Sequence, residues 1–417
     1  MKITIVGINY FPEVTGIAPY TTGMAEGLAA QGHDVEVVTG LPHYPEWRIY
    51  DGYRSQRSYR ETANGVTIHR LKHYVPEKPT PGGRIRMEAS FARAVLTTGF
   101  GRPSVVIAVS PALLSTAGVV AAARLRGVPV GIVVQDLYGK GVVETGAMHG
   151  RSAKLAAQFE GRVLRAASGV SVIHDRFVPV LNEAGVDSGA LTVIRNWTHI
   201  AASGSPTPAD SMEVRRQYGW RPDEVVVVHA GNMGAKQGLE NVIAAARLAT
   251  SELSPGTIRF VLLGDGNQRR VLQQQGSGVG ALEFIKPLPD TEFRELLHAA
   301  DVLLLNEKPG VGDMAVPSKL TTYFTTGKPI VAATDQSSGA ATEVRAAGAG
   351  VIVAPADPRA LIDAALTVAR DKANAVRFGE AGKRYAQSTL DRGAAIGRFD
   401  AWCHHLADSP SRLVPDR

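Results

Sequence analysis

Short runs, most of them continuously apolar, recur along this chain, separated by segments with helical periodicity. In the first half they fall at Ile3–Ile8, Asp34–Thr39, Val66–Leu71, Val105–Val109, Val128–Gln135, Gly169–Ile173 and Leu191–Ile194. In the second half they fall at Val225–His229, Ile258–Leu263, Leu282–Ile285, Val302–Leu305, Ile330–Ala333 and Val351–Val353. Runs without polar alternation are what parallel strands covered on both faces by helices require. The intervening segments read as those helices. Pro19–Gln31 starts on a proline, puts Tyr20, Met24 and Leu28 on one face and stops at Gly32.

A Ser-, Pro-, Ala- and Thr-rich stretch from Thr198 to Pro222 interrupts the alternation and has no strong strand signal. The expected fold class is therefore α/β, with two Rossmann-like doubly wound domains facing a cleft. Their expected boundaries are residues 1–197 and 198–391, and the chain ends in a helix near Arg392–Leu406 with Phe399 and Trp402 available for docking. With 417 residues, the chain exceeds what one core usually supports.

In doubly wound sheets, ligands bind beyond the carboxyl ends of the strands. Four marked turns lie there. The first is Gly7–Gly16. The second, Gly231-Asn232-Met233-Gly234-Ala235-Lys236-Gln237-Gly238, stands between an all-apolar strand and a helix whose Leu239, Val242, Ile243 and Ala246 share a face. Backbone N–H groups and a lysine at a helix start favour an anion. The plainer alternative is a flexible connection with a solvated lysine. The third turn is Gly264-Asp265-Gly266-Asn267, a common tight turn or a ligand contact. The fourth is Val316-Pro317-Ser318-Lys319-Leu320, where Ser318 is expected to cap a short helix that ends at Gly327. Two cationic helix starts in one domain fit a nucleotide diphosphate, with ammonium groups and amides in the place of a metal ion.

Other chemistries lack their signatures. There is no Asp-x-Asp pair, HExxH, CxxC or GxSxG, and the first turn lacks GxGxxG spacing. His404-His405 reads as having no acidic companion at ligand spacing, so no metal site is expected. The single cysteine, Cys403, excludes an internal disulfide and fits a reducing cytosol. The first residues already read as a strand, so no secretory signal is expected. The uncharged run Pro103–Ala123 is long enough to cross a bilayer, but Ser110, Pro111, Ser115 and Gly118 favour a strand and a helix instead.

Charge is unevenly placed. Between Arg48 and Arg93 ten Lys/Arg face four Asp/Glu, a surplus of six that equals the net charge of the whole chain. Tyr50, Tyr53, Tyr59 and Tyr74 are interleaved. No nucleic-acid motif accompanies this segment, which leaves an anionic membrane face, a lipid-phosphate acceptor, or an ordinary solvated surface. The stretch from Arg84 to Arg93, with Met87, Phe91 and Val95 on one face, is the expected membrane contact.

The order of Pro12–Gly16, Gly32-His33-Asp34-Val35, Gln135-Asp136-Leu137-Tyr138, Ile194-Arg195-Asn196-Trp197, GNMGAKQGLE, LLGDG, VPSKL and Gly327-Lys328-Pro329 resembles the GT-B-fold retaining glycosyltransferases of family 4. Its likeness is greatest to the branch acting in colanic-acid-type exopolysaccharide synthesis, and it covers about residues 1–400. The resemblance implies metal-independent, retaining transfer from a nucleotide-diphosphate sugar, with no further cofactor, in an interdomain site. The expected acceptor is a glycan carried on a lipid, and with the basic stretch Arg84 to Arg93 the expected place is cytoplasmic, peripheral on the inner face of the plasma membrane.

By position, the resemblance gives Asp136, Lys236 and Lys319 the catalytic roles. Donor binding falls to Gly16, Gly231, Asn232, Gly234, Gly264, Asp265, Gly266, Asp313, Met314, Pro317, Ser318 and Thr322. Asn232 stands where much of the family has arginine, and Met314 and Thr322 stand where many members have paired glutamates. A nucleotide-sugar 2-epimerase of the same fold and a non-catalytic sugar-nucleotide-binding partner are the alternatives.

Overall fold

In a computed structural model, the structure describes residues 1–78, 80–137, 151–197, 206–311 and 318–408, and only the backbone of 151–153. The chain divides into two compact units, Met1–His199 with Arg392–Arg417, and Ile200–Asp391.

In the first unit, β1 (Lys2–Gly7), β2 (Asp34–Gly40), β3 (Ser58–Ala63), β4 (Val66–Leu71), β5 (Val105–Ser110), β6 (Val130–Val134), β7 (Gly169–Val172) and β8 (Leu191–Val193) form one sheet. Its order is β3-β4-β2-β1-β5-β6-β7-β8, and every pairing is parallel except β3 with β4. β3 is an addition to the expected strands. Its sequence SYRETA is polar and alternates between exposed and half-buried, as an edge strand does, so it carries no apolar run. The Asn64-Gly65 turn joins it to β4 with φ of 49° and 78°, the conformation of a tight hairpin.

Among the described residues, the helices of this unit are α1 (Ala18–Ala30), α2 (Pro81–Thr98), α3 (Leu113–Leu125), α4 (Arg151–Arg165) and α5 (Phe177–Glu183), with a C-terminal helix, Arg392–Asp408. That last helix buries Ile396, Phe399, Trp402, Cys403 and Leu406 in the same apolar cluster as Ile3, Ile5, Met24 and Val133. Close approach depends on Gly131, where an added Cβ would lie 2.6 Å from the Trp402 ring. Each large side chain buried there contributes on the order of 2 kcal/mol.

The run at Pro103–Ala123 is a strand followed by a helix, and among the described residues no helix is long and apolar enough to cross a membrane.

The second unit is an all-parallel six-stranded sheet of β9 (Val225–Ala230), β10 (Ile258–Leu263), β11 (Leu282–Ile285), β12 (Val302–Asn306), β13 (Ile330–Ala333) and β14 (Gly350–Val353). The order is β11-β10-β9-β12-β13-β14. It reverses direction between β9 and β12, the place where a doubly wound sheet leaves a crevice for ligand. Its helices are α6 (Pro208–Gln217), α7 (Glu240–Glu252), α8 (Arg269–Gln275), α9 (Asp290–Ala299), α10 (Lys319–Thr326), α11 (Gly339–Ala347), α12 (Pro358–Arg370) and α13 (Lys372–Thr389). α6 lies inside the Ser-, Pro-, Ala- and Thr-rich stretch from Thr198 to Pro222. A reciprocal cap starts it, with Thr207 Oγ1 accepting from the Asp210 N–H and Asp210 accepting from the Thr207 N–H.

Candidate functional site

The crevice of the second unit is built from three strand ends. After β9, Gly231 N–H donates to the Leu263 carbonyl (2.9 Å) and Met233 N–H to the Asp265 carbonyl (2.7 Å), so the turns after β9 and β10 lie backbone against backbone. That contact needs glycine at 264. Its φ is +133°, and an added Cβ would fall 2.0 Å from the Gly231 carbonyl oxygen. At Gly266 an added Cβ would lie 2.5 Å from Asn232 Oδ1, which places the Asn232 side chain between the two turns.

The lysine turn departs from a bare loop running into a helix. Ala235–Gln237 is a 3-10 turn, Gly234 N–H donates to Gln237 Oε1 (3.1 Å), and Gly238 sits in the left-handed region before α7 begins. Lys236 is exposed on that turn, and its carbonyl accepts from Lys308 N–H (2.8 Å) just past β12. Asn306, 1% exposed at the end of β12, clamps the turn. Its Nδ2 donates to the carbonyls of Gln237 (2.7 Å) and Gly238 (2.9 Å), and its Oδ1 accepts from Asn241 Nδ2 (2.9 Å). Three bonds satisfy the buried amide and fix the loop to the strand that opens the crevice.

The third strand end receives Lys319. Tyr323 seats α10 through its buried hydroxyl, which accepts from Ala230 N–H (2.8 Å). Lys319, one turn earlier, then reaches over β9. Its Nζ lies 3.0 Å from His229 Nε2, and a Cβ on Gly231 would be 3.9 Å from the same ammonium. His229 is fully buried, and its Nδ1 faces the Leu304 carbonyl at 3.2 Å. Burial first, and the lysine second, hold the imidazole well below its ordinary pKa. The ring is therefore neutral, with Nδ1–H donating to Leu304 and the Nε2 lone pair accepting from Lys319. Burial also lowers the Lys319 ammonium to about 8, opposed by the Glu307 carboxylate. Glu307 is raised by burial, against the Thr334 hydroxyl (2.5 Å) and Lys319, which lower it.

Gly231, Asn232, Gly234, Gly264, Asp265, Gly266, Lys236 and Lys319 thus belong to one crevice. Ser318 stands exposed at the N-cap position of α10, but it does not cap as expected. Its own backbone is helical, its side chain makes no cap bond, and its carbonyl accepts from Thr321. Thr322 lies one turn after Lys319 and is 7% exposed. Asp313, Met314 and Pro317 lie outside the described residues. His229, Asn306 and Glu307 were not anticipated. The available signal was a polar residue near the end of each of two otherwise apolar strands, VVVVHA and VLLLN.

In the first unit, Gly16 follows β1 with φ of +66°, and an added Cβ there would lie 3.3 Å from the Tyr44 ring. Asp136 follows β6, next to the buried Gln135 that accepts from Asn196 Nδ2 (2.8 Å). The loop after β1 is organised by Glu13, 3% exposed, whose carboxylate accepts from the backbone N–H groups of His43 (2.7 Å) and Tyr44 (2.8 Å). His43 and His73, each just past a strand, stack edge to face at 4.9 Å. Burial brings His73 down to about 3, with the His43 charge acting the same way.

Two expectations about the flanking surfaces are corrected. Met87, Phe91 and Val95 of α2 pack into the core and offer no apolar face to a membrane. Arg70, counted in the basic segment, is buried against Glu61 and the Tyr53 ring. Near the C-terminus, His404 does have an acidic companion. Asp400 stands one helical turn before it, with Oδ1 3.5 Å from His404 Nε2.

Residues 15–197 match the family described as Glycosyl transferase 4-like domain, and residues 210–385 match Glycosyl transferases group 1. Over 412 residues the chain is 31% identical to a protein of Escherichia coli (strain K12) described as a colanic acid biosynthesis glycosyl transferase, WcaI, covering 96% of this chain and 98% of that one. It is 26% identical over 237 residues to WbjE of Pseudomonas aeruginosa, described as a glycosyltransferase, covering 55% of this chain and 57% of that one. Among solved structures, sucrose-phosphate synthase from Thermosynechococcus elongatus superposes with a TM-score of 0.72 at 18% identity, over 97% of this chain and 98% of that one. Anabaena HepE in complex with UDP-glucose superposes with a TM-score of 0.68 at 16% identity, over 97% and 100%. At these identities the structural likeness is one of fold, whereas the match to WcaI runs nearly end to end. The chain belongs to the GT-B glycosyltransferases of the family 4 kind.

Proposed function

We propose that this glycosyltransferase moves a sugar from a nucleotide-diphosphate donor to a lipid-linked glycan in exopolysaccharide synthesis, with retention and without a catalytic metal ion. The observation that carries this reading is the Lys319 ammonium held against Gly231 at the topological reversal between β9 and β12. A diphosphate in that crevice meets one semi-buried cation, Lys236 on the adjoining turn, and backbone from two glycine-rich turns. Those groups oppose the charge that grows on the leaving diphosphate as the glycosidic bond lengthens. The UDP-glucose complex of HepE, alike in fold, supports a donor of this class. In this proposal the acceptor hydroxyl attacks from the face the diphosphate leaves, Asp136 serves the acceptor side, and the exposed turn Arg84-Ile85-Arg86 meets an anionic membrane surface.

A thermal-shift screen of UDP, GDP, dTDP and ADP tests the donor class. One base is expected to raise the melting temperature in proportion to the logarithm of its concentration, and no response to any of the four would count against a nucleotide-diphosphate donor.

A further inference from the structure

The turn before β2 and the C-terminal helix meet in a group of side chains that glycosyl transfer does not use. His33 directs Nε2 at Asp400 Oδ1, 2.7 Å away, across 367 residues of sequence. His404, one turn further along the helix than Asp400, holds Nε2 3.5 Å from the same oxygen. The three donor atoms all lie within 4.8 Å of one another. The His33 ring is held from behind, with Nδ1 3.2 Å from the Met1 amino nitrogen, so Nε2 is the atom presented to the helix. The His33 side chain is 7% exposed, Asp400 32% and His404 55%, so the group opens to solvent on one side.

Two imidazole nitrogens and a carboxylate oxygen form a donor set suited to zinc, with the open side free for a water molecule. Zinc bonds of about 2.0–2.2 Å place neighbouring donors roughly 3.3–3.5 Å apart. Asp400 and His404 already have that spacing, and His33 and Asp400 need to open by less than about 1 Å to reach it. The carrier is rigid, since the opposite face of the helix buries Trp402, Cys403 and Leu406.

We propose that His33, Asp400 and His404 form a zinc-binding site that clips the C-terminal helix to the start of β2. The site lies wholly in the first unit and is independent of the donor reading. A metal bound only by the folded chain raises the stability of the helix it joins.

The test is calorimetric titration of tag-free, full-length protein, freed of metal with EDTA, with zinc chloride, paired with thermal unfolding with and without zinc. One zinc per chain and a higher melting temperature are expected. His404→Ala, at a more than half-exposed position, and Asp400→Asn should each weaken binding at least ~10-fold and abolish the thermal shift. His405→Ala, on the same helix, should change neither. Absence of binding at micromolar zinc would overturn the proposal and leave an ordinary histidine–aspartate pair. Equal zinc affinity in His404→Ala and the wild type would overturn it as well.

Discussion

Lys319 Nζ and His229 Nε2 are 3.0 Å apart, and the histidine is neutral because burial, and then the ammonium beside it, disfavour its charged form, while its other nitrogen donates to the Leu304 carbonyl inside the sheet. A buried neutral imidazole aims the ammonium without cancelling its charge, as a carboxylate in its place would do. Replacing it removes the aim and leaves the cation. His229→Ala is expected to raise the donor KM by roughly tenfold. His229→Gln, whose amide can both accept from Lys319 and donate to Leu304, is expected to restore most of the loss. Donor KM and kcat measured for both variants check this, and equal KM values in Ala and Gln would argue for a packing role alone.

The pH dependence of donor binding follows from the lysine. Burial brings Lys319 to about 8, so it is a cation below that pH and neutral above it. The anionic donor prefers the cation. Its KM is therefore expected to be flat below pH 8 and to rise above it, by at most about tenfold per pH unit. Lys319→Arg, whose guanidinium stays charged, should flatten this rise, although its geometry differs. A donor KM profile from pH 6.5 to 9.5 measures the effect.

Glu88 provides a test in the first unit. It is 7% exposed on α2, with its carboxylate accepting from Leu114 N–H (3.2 Å) at the start of α3. Burial outweighs that helix end and raises the carboxyl to about 7 from 4.5. A folded-state pKa above the unfolded value gives stability that is present below the unfolded pKa and lost as pH rises through the folded one. Between about pH 4.5 and 7 the loss is on the order of 3 kcal/mol. Glu88→Gln should remove that component, so the variant gains on the wild type as pH rises. Urea unfolding from pH 5 to 8 is the measurement.

Gly264 tests the backbone contact between the two glycine-rich turns. Gly264→Ala places a Cβ 2.0 Å from the Gly231 carbonyl oxygen at a φ of +133°, so the turns must separate. A loss of at least ~2 kcal/mol is expected, with impaired donor binding. Gly278→Ala, at a φ of +76° with nothing within 4 Å of the added carbon, should cost only about 1 kcal/mol. Chemical denaturation of the two variants compares them directly.

The parallel strands were legible because burial on both faces writes most of them as unbroken apolar runs, and Gly327 marked the end of α10 because it takes the left-handed cap. β3 was hidden by its polar edge character, and α6 by a Ser- and Pro-rich surrounding that masked the Thr207–Asp210 cap. Within the crevice, the glycines and both lysines stood out as types. His229, Asn306 and Glu307 did not, because each lies at or just past the end of an apolar strand and gains meaning only from a partner distant in sequence. Lys319 is ninety residues from His229. Asp400 was passed over for a related reason, since one helical turn separates it from His404 and the third member of the group, His33, enters from the other end of the chain.

The most direct test of the account is the rate of sugar transfer from a nucleotide-diphosphate donor by Lys319→Ala and Lys236→Ala. Each is expected to lose about 100-fold in rate, with circular dichroism and melting behaviour like those of the wild type, and with no response of the wild-type rate to added or withheld magnesium or manganese. Wild-type transfer rates in both variants would contradict the assignment of this crevice to the donor diphosphate.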